Sequence, residues 1–315
     1  MSYRFDPELV DIIPLIPLRD WDDPVIARTG LEDLISALNR EVDTSGVVIE
    51  DKRIPGPAGA PEIPLRLYAP ASRNGAVPGL LDIHGGGFVV GSIEMEHPVA
   101  VRLVQSLGIV VVAVEYRLAP ESPFPCGLED CYTTLQWMAA EAGSLGIDTS
   151  RIGVYGQSAG GGLAAALALL ARDRGGPALC FQYLGIPELD DRLETPSMQQ
   201  FVDTPMWHRP NAIRSWRYYL GDEATRGEVS PYAAPARATD LAGLPPAYVS
   251  TMEFDPLRDE GILYALAMLQ AGVPVELHQF PGTFHGSAMV PTAAVSKRGA
   301  VETLEVLRRG LGVNA

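Results

Sequence analysis

The chain has 315 residues, 47% of them hydrophobic and 20% charged, the balance of a globular protein that can bury a large core in one or two domains. Its formal charge of −15 and pI near 4.7 argue against nucleic-acid binding, which needs a basic stripe. The longest apolar run, residues 163–171, is far too short to span a bilayer, and no apolar stretch follows a basic start. Cys126, Cys131 and Cys180 are odd in number and lack zinc spacing, so reduced thiols, a cytoplasmic location and no metal are expected.

Along the chain, Asp6-Pro7 opens a short helix carrying Leu9, Val10, Ile12 and Ile13, which Pro14 and Pro17 end. Residues 29–40 place Leu31, Leu34, Ile35 and Leu38 at spacings of three and four, predicting a second amphipathic helix. Two small helices ahead of a sheet must pack on something else, as surface decoration or as part of a lid. From Val47 the period changes. Residues 47–55 and 63–68, joined by a turn-rich 56–61, predict an antiparallel hairpin. Residues 109–114 are continuously apolar, as suits a strand buried on both faces of a parallel sheet, and 79–83 is similar except for Asp82.

Further strands are expected at 152–155, 179–184, 247–251 and 275–279. Helices are expected at 97–107, 128–142, 162–174, 258–270 and 294–309. About eight strands with helices between most of them predict an α/β fold, its sheet mainly parallel and covered on both faces. Residues 187–228 break the alternation, with Phe201, Met206, Trp207, Trp216, Tyr218 and Tyr219 but no strand. A helical stretch at 211–220 places Ile213, Trp216 and Leu220 on one side. That much aromatic surface between two strands suggests an inserted cap over the carboxyl end of the sheet.

Gly156-Gln-Ser158-Ala-Gly160 lies between a short strand and an Ala/Leu-rich helix. A turn that sharp strains the serine backbone and lifts its oxygen above the sheet, over the amino terminus of the helix. The motif alone is weak, because a glycine-rich turn can carry a serine that merely caps the helix. As a nucleophile Ser158 needs a base and an orienting carboxylate. Of the five histidines, His285 stands in a loop just after the last strand, where a base of this fold class belongs. Asp255 follows the preceding strand, with Glu253, Asp259 and Glu260 as rivals and an N-cap role as an alternative. The order Ser158, Asp255, His285 is that of α/β-hydrolases. His84-Gly-Gly-Gly-Phe88 follows a strand, and its glycine run implies backbone amides free to face a developing negative charge. A phosphate loop would need different glycine spacing.

These motifs together resemble the hormone-sensitive-lipase family of carboxylesterases (bacterial family IV): His84-Gly-Gly-Gly-Phe88, Tyr116-Arg-Leu-Ala-Pro-Glu121 with Phe124-Pro125, Gly156-Gln-Ser-Ala-Gly160, Asp255-Pro-Leu-Arg-Asp259 and His285. The resemblance covers residue 54 to the C-terminus. It implies an α/β-hydrolase fold, a Ser158–Asp255–His285 triad and an oxyanion hole from the amides of Gly86, Gly87 and Ala159, with Gly85 in the same loop. It implies cis peptides at Ala119-Pro120 and Phe124-Pro125, and a cap made of residues 1–45 and 188–228 on a core of 46–187 and 229–315. Two departures stand out: Gln157 where the family has Asp or Thr, and Ser287 where an aromatic is common.

The expected activity is hydrolysis of short- to medium-chain carboxylic esters through an acyl-enzyme, with no cofactor. Phe88, Tyr183, Met206, Trp207, Trp216 and Phe284 are candidates for an apolar pocket, though any could equally be core. Amidase, lactonase or deacetylase chemistry would use the same residues, and a non-catalytic binding protein could use the same fold. The last strand, as a sheet edge beside the C-terminal helix, offers a surface for a homodimer.

Overall fold

The computed structural model describes residues 3–16, 21–28, 35, 39–221 and 228–314. Its strands are β1 (Val47–Ile54), β2 (Ile63–Pro70), β3 (Val77–Ile83), β4 (Val110–Val114), β5 (Ile147–Gln157), β6 (Phe181–Gly185), β7 (Ala247–Phe254) and β8 (Val275–Phe284). They form one sheet in the order β1-β2-β4-β3-β5-β6-β7-β8. The β1–β2 hairpin and the β2–β4 pair are antiparallel, and every other pairing is parallel. The expected hairpin and the mainly parallel sheet are therefore both present.

Every residue of β4 is buried. Helices cover both of its faces, so its side chains have no water-facing side and the apolar run needs no alternation. On one face Cys126–Ala140 and Ala159–Asp173 pack with Leu81, Ile83, Val112 and Val154. On the other, Ile93–Leu107 and Ala294–Gly310 enclose Leu80, Val111 and a row of tyrosines. The strand ends that carry chemistry thus leave the sheet at one edge of a rigid, fully covered core.

Helix starts were the least legible boundaries. Ile93–Leu107 begins four residues before the expected start at His97. The Glu115 carboxylate accepts the Ile93 N–H at 2.9 Å, a cap supplied from elsewhere in the chain. Pro98 sits inside this helix and cannot bond the Glu94 carbonyl, which instead accepts Asn39 Nδ2 at 2.9 Å. The N-terminal helix is only Pro7–Val10, followed by a 3-10 turn Ile13–Leu15. The helix expected at 29–40 lies outside the described residues apart from 35, 39 and 40.

Between β6 and β7, Pro196–Gln200 and Arg209–Leu220 are helical and no strand occurs among the described residues. The second of these rests on Asn211, Ala212, Ser215, Trp216, Tyr219 and Leu220. Ile213, expected on the packed side, is 40% exposed. At 100° per residue the buried arc runs from Asn211 through Ser215, Tyr219, Ala212 and Trp216 to Leu220, and Ile213 falls just outside it. Trp21 packs edge-on against Trp207 at 5.1 Å, and Asp22 pairs with Arg214. The N-terminal segment and the insertion thereby form one layer. No helix among the described residues is long and apolar enough to cross a membrane.

Asp82, which interrupts the apolar pattern of β3, is fully buried with neither carboxyl oxygen hydrogen-bonded. Burial first, and then the nearby Glu96, push its pKa well up, and burial pushes Glu96 up to about 7. An acid whose folded pKa lies above its unfolded value holds a proton that the unfolded chain gives up. Folding then weakens as pH rises toward the raised value. Buried His84, pushed down to about 4, acts in the opposite sense but only below the ordinary histidine value of about 6.5. From pH 6.5 to 8 calorimetry should therefore show a falling Tm, with unfolding free energy dropping by on the order of 1 kcal/mol per pH unit for each carboxyl still protonated. Asp82→Asn should flatten that slope. A Tm that stays level or rises over this range would mean the buried acids are ionised.

Candidate active site

β5 ends at Gln157 and the next helix begins at Ala159, so a single residue makes the turn. Ser158 takes φ 57 and ψ −125, a strained backbone for a residue with a side chain. The flanking glycines are required by space. A Cβ on Gly156 would lie 2.1 Å from the Gly160 carbonyl oxygen, and one on Gly160 would lie 2.0 Å from the Ile83 carbonyl oxygen. The turn is pinned by Ser158 N–H donating to Gly185 O at 2.8 Å, and by Gly162 and Glu188 N–H donating to Ser158 O. Beneath Ser158 lie the first amides of the Ala159–Asp173 helix, which have no intrahelical acceptor.

His285 follows directly on β8, and Asp255 directly on β7. His285 Nε2 is 2.9 Å from Ser158 Oγ, and Nδ1 is 2.7 Å from Asp255 Oδ2. Asp255 is an acceptor, so the proton sits on Nδ1 and leaves Nε2 free to accept from the serine. Asp255 Oδ1 accepts the Leu257 N–H at 2.9 Å, so this residue both orients the histidine and holds the turn before the Arg258–Gln270 helix. Pro256 lies in that turn. The rival carboxylates are engaged elsewhere: Glu253 with Gly282 N–H, Asp259 with Ser197 N–H and Glu260 with Leu189 N–H. Ser158 and His285 are 8% and 7% exposed while Asp255 is sealed, so the pair opens to substrate and its orienting charge does not.

The loop His84–Val89 runs beside the serine, since a Cβ on Gly85 would sit 3.4 Å from Ser158 Cβ. Six consecutive carbonyls of this loop each receive a donor. Tyr116 Oη–H reaches His84 O, His84 Nδ1–H reaches Gly85 O, and the Val89 and Val90 amides reach Gly86 O. Ser215 Oγ–H reaches Gly87 O, Ala119 N–H reaches Phe88 O, and Arg28 Nε–H reaches Val89 O. Fixing each carbonyl fixes the amide across the same peptide plane. The His84 ring stacks on Tyr116 at 4.1 Å, and burial keeps it neutral. The Ala119-Pro120 and Phe124-Pro125 peptides are cis, as the resemblance implied.

The pocket candidates separate. Trp207 lies 5.8 Å from the His285 ring and against Gly87. Phe88 stacks on Tyr219 at 3.9 Å and neighbours Trp216. Met206 touches the space beside Gly286, and Phe284 is buried among Phe5, Phe280 and Leu9. Tyr183 is a correction: its ring stacks between Tyr155 and Tyr248 and its hydroxyl meets Thr303, on the sheet face away from the insertion. Alternation along β6 decides this, because Tyr183 and its neighbours point to opposite faces. Ser215 and Glu188 were missed. Their signals, a serine in an aromatic helix and an acid after Pro187, do not differ from surface residues until the chain folds. Gln157 bonds the Tyr155 hydroxyl and stays away from the triad contacts.

Comparison with known proteins agrees with this fold. Residues 80–289 match a family model described as alpha/beta hydrolase fold (Abhydrolase_3). The chain is 40% identical to Carboxylesterase NlhH of Mycobacterium tuberculosis over 96% of its own length and 97% of that protein. It is 36% identical to Esterase LipI of the same organism, over 97% and 96%. The solved structure described as Bacterial Heroin Esterase superposes with a TM-score of 0.95 at 56% identity, covering 98% of both chains.

Proposed function

The chain belongs to the hormone-sensitive-lipase-like branch of the alpha/beta hydrolase family and is a carboxylesterase, and on that premise we propose that Ser158, His285 and Asp255 are its catalytic triad. The observation that carries this is His285, hydrogen-bonded at once to Ser158 Oγ and to Asp255. Ser158 attacks the ester carbonyl as His285 takes its proton. Asp255 holds the imidazole in the tautomer that makes this transfer possible. The amides of Gly86, Gly87 and Ala159 receive the oxyanion, and the alcohol leaves with the proton from His285. Water then repeats the sequence on the acyl-enzyme.

The described parts of residues 1–45 and 188–228 form the cap, and Phe88, Trp207, Trp216 and Met206 bound the substrate space. Bulky aromatic walls favour short- to medium-chain acyl groups, so the partner is a small-molecule ester rather than nucleic acid. The three free cysteines suit a reducing cytoplasm, and β8, at the edge of the sheet, is the surface for a homodimer.

Nitrophenyl esters of increasing acyl length test the pocket. We expect kcat/KM to be highest at short or medium chains, and a phosphonate ester to label the Ser158 peptide. Turnover that climbs with chain length, or a label found elsewhere, would overturn the reading.

A further inference from the structure

One buried acid beside the site is left without a job by the mechanism above. Glu188 is fully buried just past β6, its N–H on Ser158 O and its backbone against the nucleophile helix, where a Cβ on Gly162 would lie 2.1 Å from Glu188 O. Its Oε1 is 3.1 Å from Ser215 Oγ, which is in turn 2.9 Å from Gly87 O. Counting protons decides the direction of this chain. A serine hydroxyl has one proton, whereas a carbonyl and an ionised carboxylate only accept. Both contacts are hydrogen bonds only if Glu188 carries a proton and donates it to Ser215, which then donates to Gly87.

We propose that Ser215 positions the oxyanion loop through the Gly87 carbonyl, and that Glu188 in its acid form holds Ser215 in that orientation, so that ionising Glu188 draws the Ser215 proton away from the loop. Gly87 needs such an anchor, because it adopts φ 56 and lacks a side chain to restrain it. Its upstream peptide plane is fixed by the Val89 and Val90 amides on Gly86 O, and its downstream plane, among the described residues, by Ser215. The other loop carbonyls are held by donors that keep their protons: amides, a guanidinium, a buried phenol and a neutral imidazole.

The surroundings agree. Asp255 faces Glu188 from the turn after β7 and Glu260 from the Arg258–Gln270 helix, while Asp190 on its own segment is paired with Arg192. Among the described residues no cation pairs with Glu188, and its Oε2 is buried without a partner. Burial chiefly pushes its pKa up to about 8, against a lowering by the Ser215 contact and with the Asp255 charge adding to the rise. The acid form therefore prevails at neutral pH and is lost above it.

The test is kcat against pH from 6.5 to 9.5 on a nitrophenyl ester, for the native enzyme, Glu188→Gln and Ser215→Ala. Native kcat should fall about 10-fold through the alkaline limb with KM within about 2-fold, because the donors act on the transition state. Ser215→Ala should show that low kcat already at pH 7 and lack the alkaline loss. Glu188→Gln, whose amide donates to Ser215 and does not ionise, should keep near-native kcat at pH 7 and hold it at pH 9. An alkaline loss in Glu188→Gln equal to the native one, or native kcat in Ser215→Ala, would overturn the proposal. Should Glu188→Gln fail to fold, the Ser215→Ala profile decides alone. The inference rests on Ser158 as the nucleophile: turnover independent of Ser158 removes both readings, whereas Ser158-dependent turnover with an unaltered Glu188→Gln profile removes only this one.

Discussion

Replacing Ser158 with alanine is expected to lower ester turnover by on the order of 10⁶ while leaving the fold and KM largely intact. The size follows from the loss of the covalent route: His285 and the loop amides remain, but the group placed to form an acyl-enzyme is gone. The φ of 57 at this position is imposed by contacts of the neighbouring glycines and by three hydrogen bonds to its backbone. None of these involves the hydroxyl, so alanine can occupy the same turn. A residual rate of about 10³ over water should persist from the oxyanion donors and binding alone. Single-turnover kinetics with an activated ester would check this, with no burst of product in the variant. A variant within 100-fold of native would mean that another nucleophile carries the reaction.

Asp255→Asn should cost about 10⁴ in kcat. The reason lies in how the carboxylate is divided. Oδ1 accepts from Leu257 N–H and Oδ2 accepts from His285 Nδ1. In asparagine the amide oxygen must face Leu257 N–H, because the amide nitrogen cannot accept. That leaves the NH₂ group against His285, which must then present a lone pair at Nδ1 and carry its proton on Nε2. A histidine in that tautomer cannot take the proton from Ser158. Because the backbone bond is retained, stability should change little, which separates this variant from Asp255→Ala. Melting and kcat measured together would check the prediction, and a loss below 10-fold would show that Asp255 does not set the tautomer.

Much of this enzyme is legible in its amino-acid order. Local spacing dictates the strand–turn–helix around Ser158, because only glycine at 156 and 160 permits the approach that the turn needs. The continuous apolar run of β4 announces a strand covered on both sides. The order of the three triad residues, each just beyond a strand, places them at one edge of a parallel sheet by topology alone, since parallel strands all end on the same side. The choice among Glu253, Asp255, Asp259 and Glu260 was narrowed by position but made by contact, when each rival met a backbone amide elsewhere.

What the amino-acid order determined by itself is therefore what depends on short-range sterics and on strand periodicity: the elbow, the glycine loop, the eight strands and the placement of the serine and histidine. What only the tertiary structure decided is what depends on partners distant in the chain. Glu115 starts a helix that its own residues do not cap, and Ile213 falls just outside the arc that packs. Tyr183 turns to the far face of the sheet, and Ser215 meets Gly87 across 128 residues of chain and Glu188 across 27. The physical reason is common to all of these. A hydrogen bond or a buried charge has no signature along the chain when its partner lies elsewhere, and its energy exists only once folding has excluded water from both groups.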